Sequence, residues 1–180
     1  MKELIWVVQP DDNVSADATT SVCGRQWFNF TDDLDLSAAG GATGLVRGIA
    51  AGGTNAGFAT ISAFGTGENP VASAKLQLNG HDRFSERSGR YFNLVQPYQH
   101  HENIPAKGIN VYSFALKPEE HQPSGTVNMS RIDNATLHLN LTDKTIKKNG
   151  TSRTAKIKIF AVNYNVLRIM SGMGGLSFAN

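Results

Sequence analysis

Short apolar runs with a two-residue period, each closed by a turn dipeptide, constrain the fold of this chain most strongly. Residues 135–141 carry an apolar residue at every second position, Ala135 followed by Leu137, Leu139 and Leu141, the period of a strand with one buried face. Lys75–Asn79 and Ala155–Val166 alternate similarly, and Ile109–Leu116 is apolar on both faces. Asn-Gly, Ser-Gly and Lys-Gly dipeptides separate the runs. No amphipathic helices alternate with the strands, so the pattern predicts an all-β antiparallel sandwich or barrel rather than a parallel α/β sheet.

Three local signals complete this prediction. Glu3–Gln9 is rich in β-branched and aromatic residues and ends at Pro10, which favours a strand. Asn149-Gly150 lies between two alternating segments and predicts a hairpin turn. The best helical candidate is Phe84–Gln96, where we expect one or two short turns before Pro97.

Composition restricts the class of protein. The chain has 180 residues with 40% hydrophobic and 18% charged residues, which fits one domain with a packed core. A net charge of +2 removes bulk electrostatics as a reason to bind nucleic acid. The single cysteine, Cys23, excludes an intrachain disulfide framework and a thiolate zinc site. No apolar run approaches the ~20 residues of a membrane span, so we expect no span and synthesis in a reducing compartment.

Residues 38–57 differ in composition from the rest, because glycine and alanine dominate them. Such a segment buries little surface and predicts a long surface loop. Its glycines match neither the phosphate-binding loop nor the dinucleotide-binding pattern.

Candidate metal and catalytic groups do not form a recognised pattern. Adjacent His100 and His101 point to opposite faces of a strand, and the His-x-His pair of metal cupins is absent. Glu119, Glu120 and His121 share one loop, which favours a solvated turn. We therefore predict no catalytic, metal or cofactor-binding residue, and no enzyme.

Two charged stretches have alternative interpretations. Asp82, Arg83, Glu86 and Arg87 alternate in sign, which suits a contact patch on a neighbouring subunit or a local salt-bridged turn. The basic cluster around the last hairpin has no interleaved aromatic residues, so it favours a solvated hairpin over sequence-specific nucleic-acid binding. Its members are Lys144, Lys147, Lys148, Arg153, Lys156 and Lys158.

Asn-x-Ser/Thr sequons recur along the chain. The pattern is short and arises often by chance, so each site is a weak candidate for N-glycosylation. The sequons begin at Asn13, Asn29, Asn128, Asn134, Asn140 and Asn149.

Long contiguous motifs resemble one family. The chain is similar to the C-terminal part of the major capsid protein of nucleocytoplasmic large DNA viruses, the phycodnavirus, iridovirus and mimivirus group. The similarity runs from about Lys2 to the end, with 38–57 as a variable loop. The motifs that carry it are Lys2–Val8, Lys75–Arg87, Tyr91–His101, Gly108–Thr126, Ser130–Asp133 and Val162–Leu176.

This resemblance implies the second jelly roll of a double jelly-roll protein that trimerises into pseudo-hexagonal capsomers. Residues 1–180 are then the C-terminal capsid jelly roll. The N-terminal jelly roll, and the first strand or two of the second, are expected to be absent from this sequence. The implied partners are other capsid subunits, as a homotrimer or with a separate N-terminal jelly-roll chain, and minor capsid proteins. The implied location is the virion, assembled in the host cytoplasm.

Within that fold, the loops Gly80–Arg90 and Pro118–Arg131 are expected to lie between subunits. An alternative function is a lectin-like jelly roll that binds host glycans, with Trp27, Phe28 and Asp32 as its best candidates. The candidate interface residues are Asp82, Arg83, Glu86, Arg87, Glu119, Glu120, His121 and Arg131.

Overall fold

The computed structural model describes residues 1–14, 26–32, 45–46, 59–60, 67–148 and 151–178. Its strands are β1 (Glu3–Pro10), β2 (Leu45–Val46), β3 (Ala59–Thr60), β4 (Val71–Leu78), β5 (His81–Asp82), β6 (Arg87–Ser88), β7 (Ile109–Ser113), β8 (Ala135–Leu141), β9 (Lys147–Lys148), β10 (Thr151–Ser152), β11 (Ala155–Val162), β12 (Leu167–Met170) and β13 (Met173–Leu176). Its helices are α1 (Asp11–Val14), a π-helical turn (Tyr91–Val95), α2 (Gln96–His100), a 3₁₀ turn (Met129–Arg131) and α3 (Asp143–Ile146).

Two antiparallel sheets form the body. The first sheet has the order β11-β1-β7. In the second sheet, β8 pairs with one edge of β4, while β5 and β6 pair with the other edge. The fold is an antiparallel sandwich, as the alternating pattern allowed, and it is the jelly roll that the family resemblance implied. Strand β8 begins and ends where its alternating apolar pattern does.

The core lies between these sheets. Trp6 and Val8 of β1 are fully buried and face Val71 and Leu76 of β4. Phe92 lies between the sheets, with its ring centroid 5.1 Å from that of Trp6. Tilted aromatic pairs of this kind contribute about 0.5–1.5 kcal/mol beyond the apolar area that they bury.

The helical prediction needs a correction. The helix does not stop before Pro97 but continues through it to His100. Proline is tolerated here because it lies in the first turn of α2, directly after the π-helical turn. The preceding π-helical turn contacts both β6 and β7, so this segment closes one side of the sandwich.

The opposite side of the sandwich is open. Ile159 pairs with Trp6 and Ile157 with Val8, so both isoleucines share the inward face of the first sheet. They nevertheless remain 53% and 49% exposed. An apolar cleft of about 170 Å³ opens there between the sheets. Its lining is Met1, Leu4, Leu76, Leu78, Met129, Ala135, Leu137 and Ile159.

A buried arginine holds the far end of the sandwich together. The Arg153 side chain is 4% exposed, and its Nε lies 2.8 Å from Oδ2 of Asp12. Its Nη1 donates to the carbonyls of Asp32 and Lys144, at 3.1 and 2.9 Å. One guanidinium therefore joins three separate segments at what we call the Arg153 end.

Two glycines with positive φ allow a matched test of this packing. Gly108 has φ +89, and a Cβ there would overlap the carbonyl oxygen of Phe30, whereas Gly80 has φ +79 and open space around it. We expect G80A to cost about 1 kcal/mol from the left-handed backbone alone. G108A should cost roughly 1–3 kcal/mol more, because the Phe30 backbone must move. Chemical denaturation measures both, and equal losses would contradict the close approach at Gly108.

Candidate subunit-interface surfaces

The start of one predicted interface loop and the whole of the other lie at one end of the sandwich, opposite Arg153. Met1, Leu78 and Ala135 line the same cleft, which brings together the start of β1, the end of β4 and the start of β8. The Met1 ammonium donates to the carbonyl of Val127 at 2.6 Å. We call this the Met1 end, and both Gly80–Asp82 and Pro118–Arg131 lie around it.

Polar contacts fix Asp82 on the outer face of the second sheet. Its carboxylate accepts from Gln77 at 2.6 Å and lies 3.3 Å from the Lys75 ammonium. The hydrogen bond from Gln77, followed by the Lys75 contacts, lowers the pKa of Asp82. The group is exposed, so this pair contributes little to stability. Asp82 is therefore a fixed negative charge at the surface.

Glu86 belongs to a neighbouring network on the same face. Its carboxylate accepts from the Ser73 hydroxyl and, at 2.7 Å, from the Asn140 amide. These two bonds lower the pKa of Glu86. Arg83 and Arg87 are exposed, and the Arg87 guanidinium lies 5.8 Å from the ring centroid of Tyr91. The four residues thus present both signs of charge along one strip.

Glu119 contacts the body through a histidine. His101 Nδ1 lies 2.9 Å from Glu119 Oε1, and His101 Nε2 lies 3.0 Å from Glu3 Oε2. The Glu102 amide also donates to Glu119, at 3.1 Å. The bonds from His101 and Glu102 lower the pKa of Glu119, whereas burial raises the pKa of Glu3. A histidine between two carboxylates therefore fixes the loop that carries Glu119.

The remaining candidates are spread around the same loop. Glu120 lies 3.0 Å from the Lys117 ammonium, and its carbonyl accepts from Lys2 at 3.0 Å. His121 and Arg131 are exposed. Asn79 links the β4–β5 turn to this region, since its side-chain oxygen accepts from the amides of residues 133 and 134, at 2.9 and 3.1 Å. The structure thus brings Asp82 and Arg131 to the Met1 end. Glu86 and Arg87 instead lie beside the middle of β4, where Arg87 pairs with Ala74.

The sequons differ in their surroundings. Asn13 is fully buried, and its amide donates to the carbonyl of Thr31 at 3.0 Å, which leaves no room for a glycan. Asn29 is half-buried, and Asn140 lies within β8 and bonds Glu86. Asn128 and Asn134 are exposed in loops. Asn149 lies outside the described residues, as do Cys23 and all of 38–57 except Leu45–Val46.

The residues suggested for glycan binding do not converge. Trp27 and Phe28 are 60% and 89% exposed, but Asp32 is 3% exposed. The Asp32 carboxylate accepts from the Glu68 amide at 2.7 Å, so it is directed into the fold rather than beside an exposed ring. Within the described ranges, no group of three or more His, Cys, Asp or Glu residues has the geometry to hold a metal ion. No helix of the described chain is long and apolar enough to cross a membrane.

The exposed apolar surface of β11 was not predicted from the sequence. Phe160 of β11 is 54% exposed on the outer face of the first sheet, and Ile159 is 53% exposed on the inner face. Within the described residues β11 pairs only with β1, so its other edge carries free backbone groups. Apolar residues on both faces are typical of an interior strand, and this pattern in 155–162 was the available signal.

A second apolar surface is the hairpin β12–β13. Met170, Met173 and Leu176 are between 56% and 74% exposed. A Cβ added at Gly174 or Gly175 would meet nothing within 4 Å, so no other segment of the described chain packs there. Exposed apolar patches of this kind mark sites of protein contact.

Comparison with known proteins identifies the family. The sequence profile described as "Large eukaryotic DNA virus major capsid protein" matches residues 1–175. The major capsid protein of Phaeocystis pouchetii virus is 49% identical over 226 aligned residues, covering 99% of this chain and 43% of that protein. The major capsid protein of Chrysochromulina ericina virus is 42% identical, with 99% and 44% coverage.

A solved structure, titled as a quasi-atomic model of the PBCV-1 virus capsid, agrees with this result. It superimposes with a TM-score of 0.59 and 37% identity over 99% of this chain and 43% of that one. The chain thus spans less than half the length of these relatives. Both the sequence profile and the sandwich geometry place it in one group: the chain belongs to the large eukaryotic DNA virus major capsid protein family.

Proposed function

We propose that this chain is a structural subunit of an icosahedral viral capsid and forms the C-terminal jelly roll, residues 1–180, of a double jelly-roll shell protein. Family membership supports the capsid role. The observation that carries the proposal in the structure is the two-faced apolar edge of β11, since a shell subunit must bury such surface against other polypeptide.

The open side of the sandwich has room for two further strands, one on the edge of each sheet. A jelly roll has eight strands in two sheets. Here β11 ends the first sheet and β8 ends the second within the described residues. Ile159 and Leu137 on these edge strands line the open cleft between the sheets. One added strand on each edge would cover the cleft, and we propose that polypeptide other than the described residues supplies both strands.

The β8 and β11 edges and the Met1 end support an assembly with other subunits. We propose trimeric, pseudo-hexagonal capsomers, built either as a homotrimer or together with a separate N-terminal jelly-roll chain. The mixed charges of Asp82, Glu120 and Arg131 suit the polar part of a contact between subunits. Minor capsid proteins are further partners, in a virion assembled in the host cytoplasm. Catalysis has no part in this role, and neither the comparisons nor Asp32 supports glycan binding.

The β11 edge can be tested with a matched pair of isoleucines. Ile159 and Ile104 are 53% and 51% exposed, but only Ile159 lies on the open edge. We expect I159K to weaken binding to a polypeptide that carries the two completing strands by about tenfold or more, because a charge would enter a buried apolar contact. I104K should leave binding unchanged. Equilibrium sedimentation measures the association, and equal effects of the two variants would exclude the β11 edge.

Charge reversal tests the Met1 end. R131E alters an exposed charge in the proposed contact, whereas K144E alters an exposed lysine near the Arg153 end. Because such charges act mainly at an interface rim, we expect R131E to slow capsomer association several-fold and K144E to have no effect. The capsomer fraction after a fixed time, from native mass spectrometry, distinguishes the two. Slower assembly with K144E alone would place the contact at the other end.

A further inference from the structure

The cluster of Glu3, His101 and Glu119 joins three segments that are remote in sequence. Glu3 begins β1, His101 follows α2, and Glu119 lies in the loop after β7. The side chains of Glu3 and His101 are 8% and 11% exposed, whereas that of Glu119 is 47% exposed. The two distances, 3.0 Å to Glu3 and 2.9 Å to Glu119, place one carboxylate at each ring nitrogen.

Two ionised carboxylates and a neutral imidazole lack one proton for hydrogen bonds at both ring nitrogens. An ionised carboxylate only accepts hydrogen bonds, and a neutral imidazole donates from one nitrogen alone. Two carboxylates at the two nitrogens therefore need either an imidazolium or a protonated carboxyl. In the described part of the chain, neither Glu3 Oε2 nor His101 Nε2 has a hydrogen-bond partner, and the two atoms form an ion pair at 3.0 Å. Loss of the proton would leave two acceptors facing each other in a buried place.

We propose that Glu3, His101 and Glu119 form a proton-dependent clasp that holds the loop Pro118–Gly125 in the position from which it contacts a neighbouring subunit. The subunit contact rests on the capsid function proposed above, whereas the clasp itself is a property of the isolated chain. A loop held in one conformation binds more tightly, because less freedom is lost on association. Proton loss would therefore release the loop and weaken the contact.

Other charges surround the clasp from each element packed against it. Directly before β1, Lys2 donates to the Glu120 carbonyl, and its ammonium lies 4.7 Å from the ring centroid of Tyr164. On the loop, Lys117 and Glu120 pair with each other at 3.0 Å. After α2, Glu102 contributes its amide to Glu119. The neighbouring His100 bonds the carbonyl of Leu116 at 2.9 Å, so it does not compete for either carboxylate.

The two carboxyl groups set the direction of the pH dependence. Burial raises the pKa of Glu3 above its ordinary value of 4.5, so its contribution to stability is lost as pH rises through the raised value. The bonds from His101 and Glu102 lower the pKa of Glu119, so its contribution is lost only as pH falls through the lowered value. The clasp is therefore strongest in mildly acidic solution and weakens toward alkaline pH.

Hydrogen exchange at the Glu102 amide tests the clasp directly, because this amide donates to Glu119. In the unchanged chain, we expect the protection factor to fall about tenfold as pH rises through the raised pKa of Glu3, between about pH 4.5, the ordinary pKa of a glutamate, and about pH 9. H101Q should lower protection at both pH values and abolish the pH dependence. H138Q is the matched control, since His138 is exposed, lies outside the clasp and contacts the Gln77 side-chain oxygen at 2.9 Å. It should behave like the unchanged chain.

A second variant covers the case in which H101Q does not fold. E119Q changes an exposed carboxyl, and it too should abolish the pH dependence. Equal protection at both pH values in the unchanged chain, or a retained dependence in E119Q, would overturn the clasp.

Subunit association at the same two pH values tests its role. We expect association to fall in parallel with protection, in the unchanged chain and in H138Q. An intact clasp with pH-independent association would overturn the regulatory role alone. An intact clasp in a chain that never associates with capsid polypeptide would instead overturn the capsid function.

Discussion

The burial of β1 between β7 and β11 is the constraint on which the rest of this structure depends. Trp6 and Val8 are fully buried on its inner face, and Phe92 packs against Trp6 to fill the space between the sheets. The same strand carries Glu3 at its start and leads at its end into α1, where Asp12 meets Arg153. One strand therefore connects the core, the clasp and the far end of the sandwich.

Local pattern predicted the strands well, because a two-residue period depends only on neighbouring residues. The alternation of β8 and the β-branched run of β1 are local signals of this kind. The Asn149-Gly150 dipeptide is another, and the strands on either side of it, β9 and β10, pair as a hairpin requires. The prediction that the helical turns end before Pro97 was wrong, because α2 runs from Gln96 to His100 and holds Pro97 in its first turn. Sequence alone thus predicted the five longest strands, β1, β4, β7, β8 and β11, but not short strands such as β6, β12 and β13, nor every boundary.

Burial and site geometry could not be read from local pattern. The period in 155–162 predicted that Ile157 and Ile159 share one face, yet these residues remain about half exposed because no strand among the described residues covers them. The contact of His101 with both Glu3 and Glu119 depends on the packing of three remote segments.

The Arg153 anchor has a consequence for how chains of this family can vary in length. The alignment with the Phaeocystis pouchetii virus protein extends over 226 positions, against 180 residues here. The described residues that flank 15–25 and 33–66 lie close together, because Asn13 donates to the carbonyl of Thr31, Arg153 donates to that of Asp32, and the Asp32 carboxylate accepts from the Glu68 amide. An insertion between these flanking residues therefore leaves and re-enters the sandwich at the Arg153 end. The strands that lead to the Met1 end need not move to accommodate it.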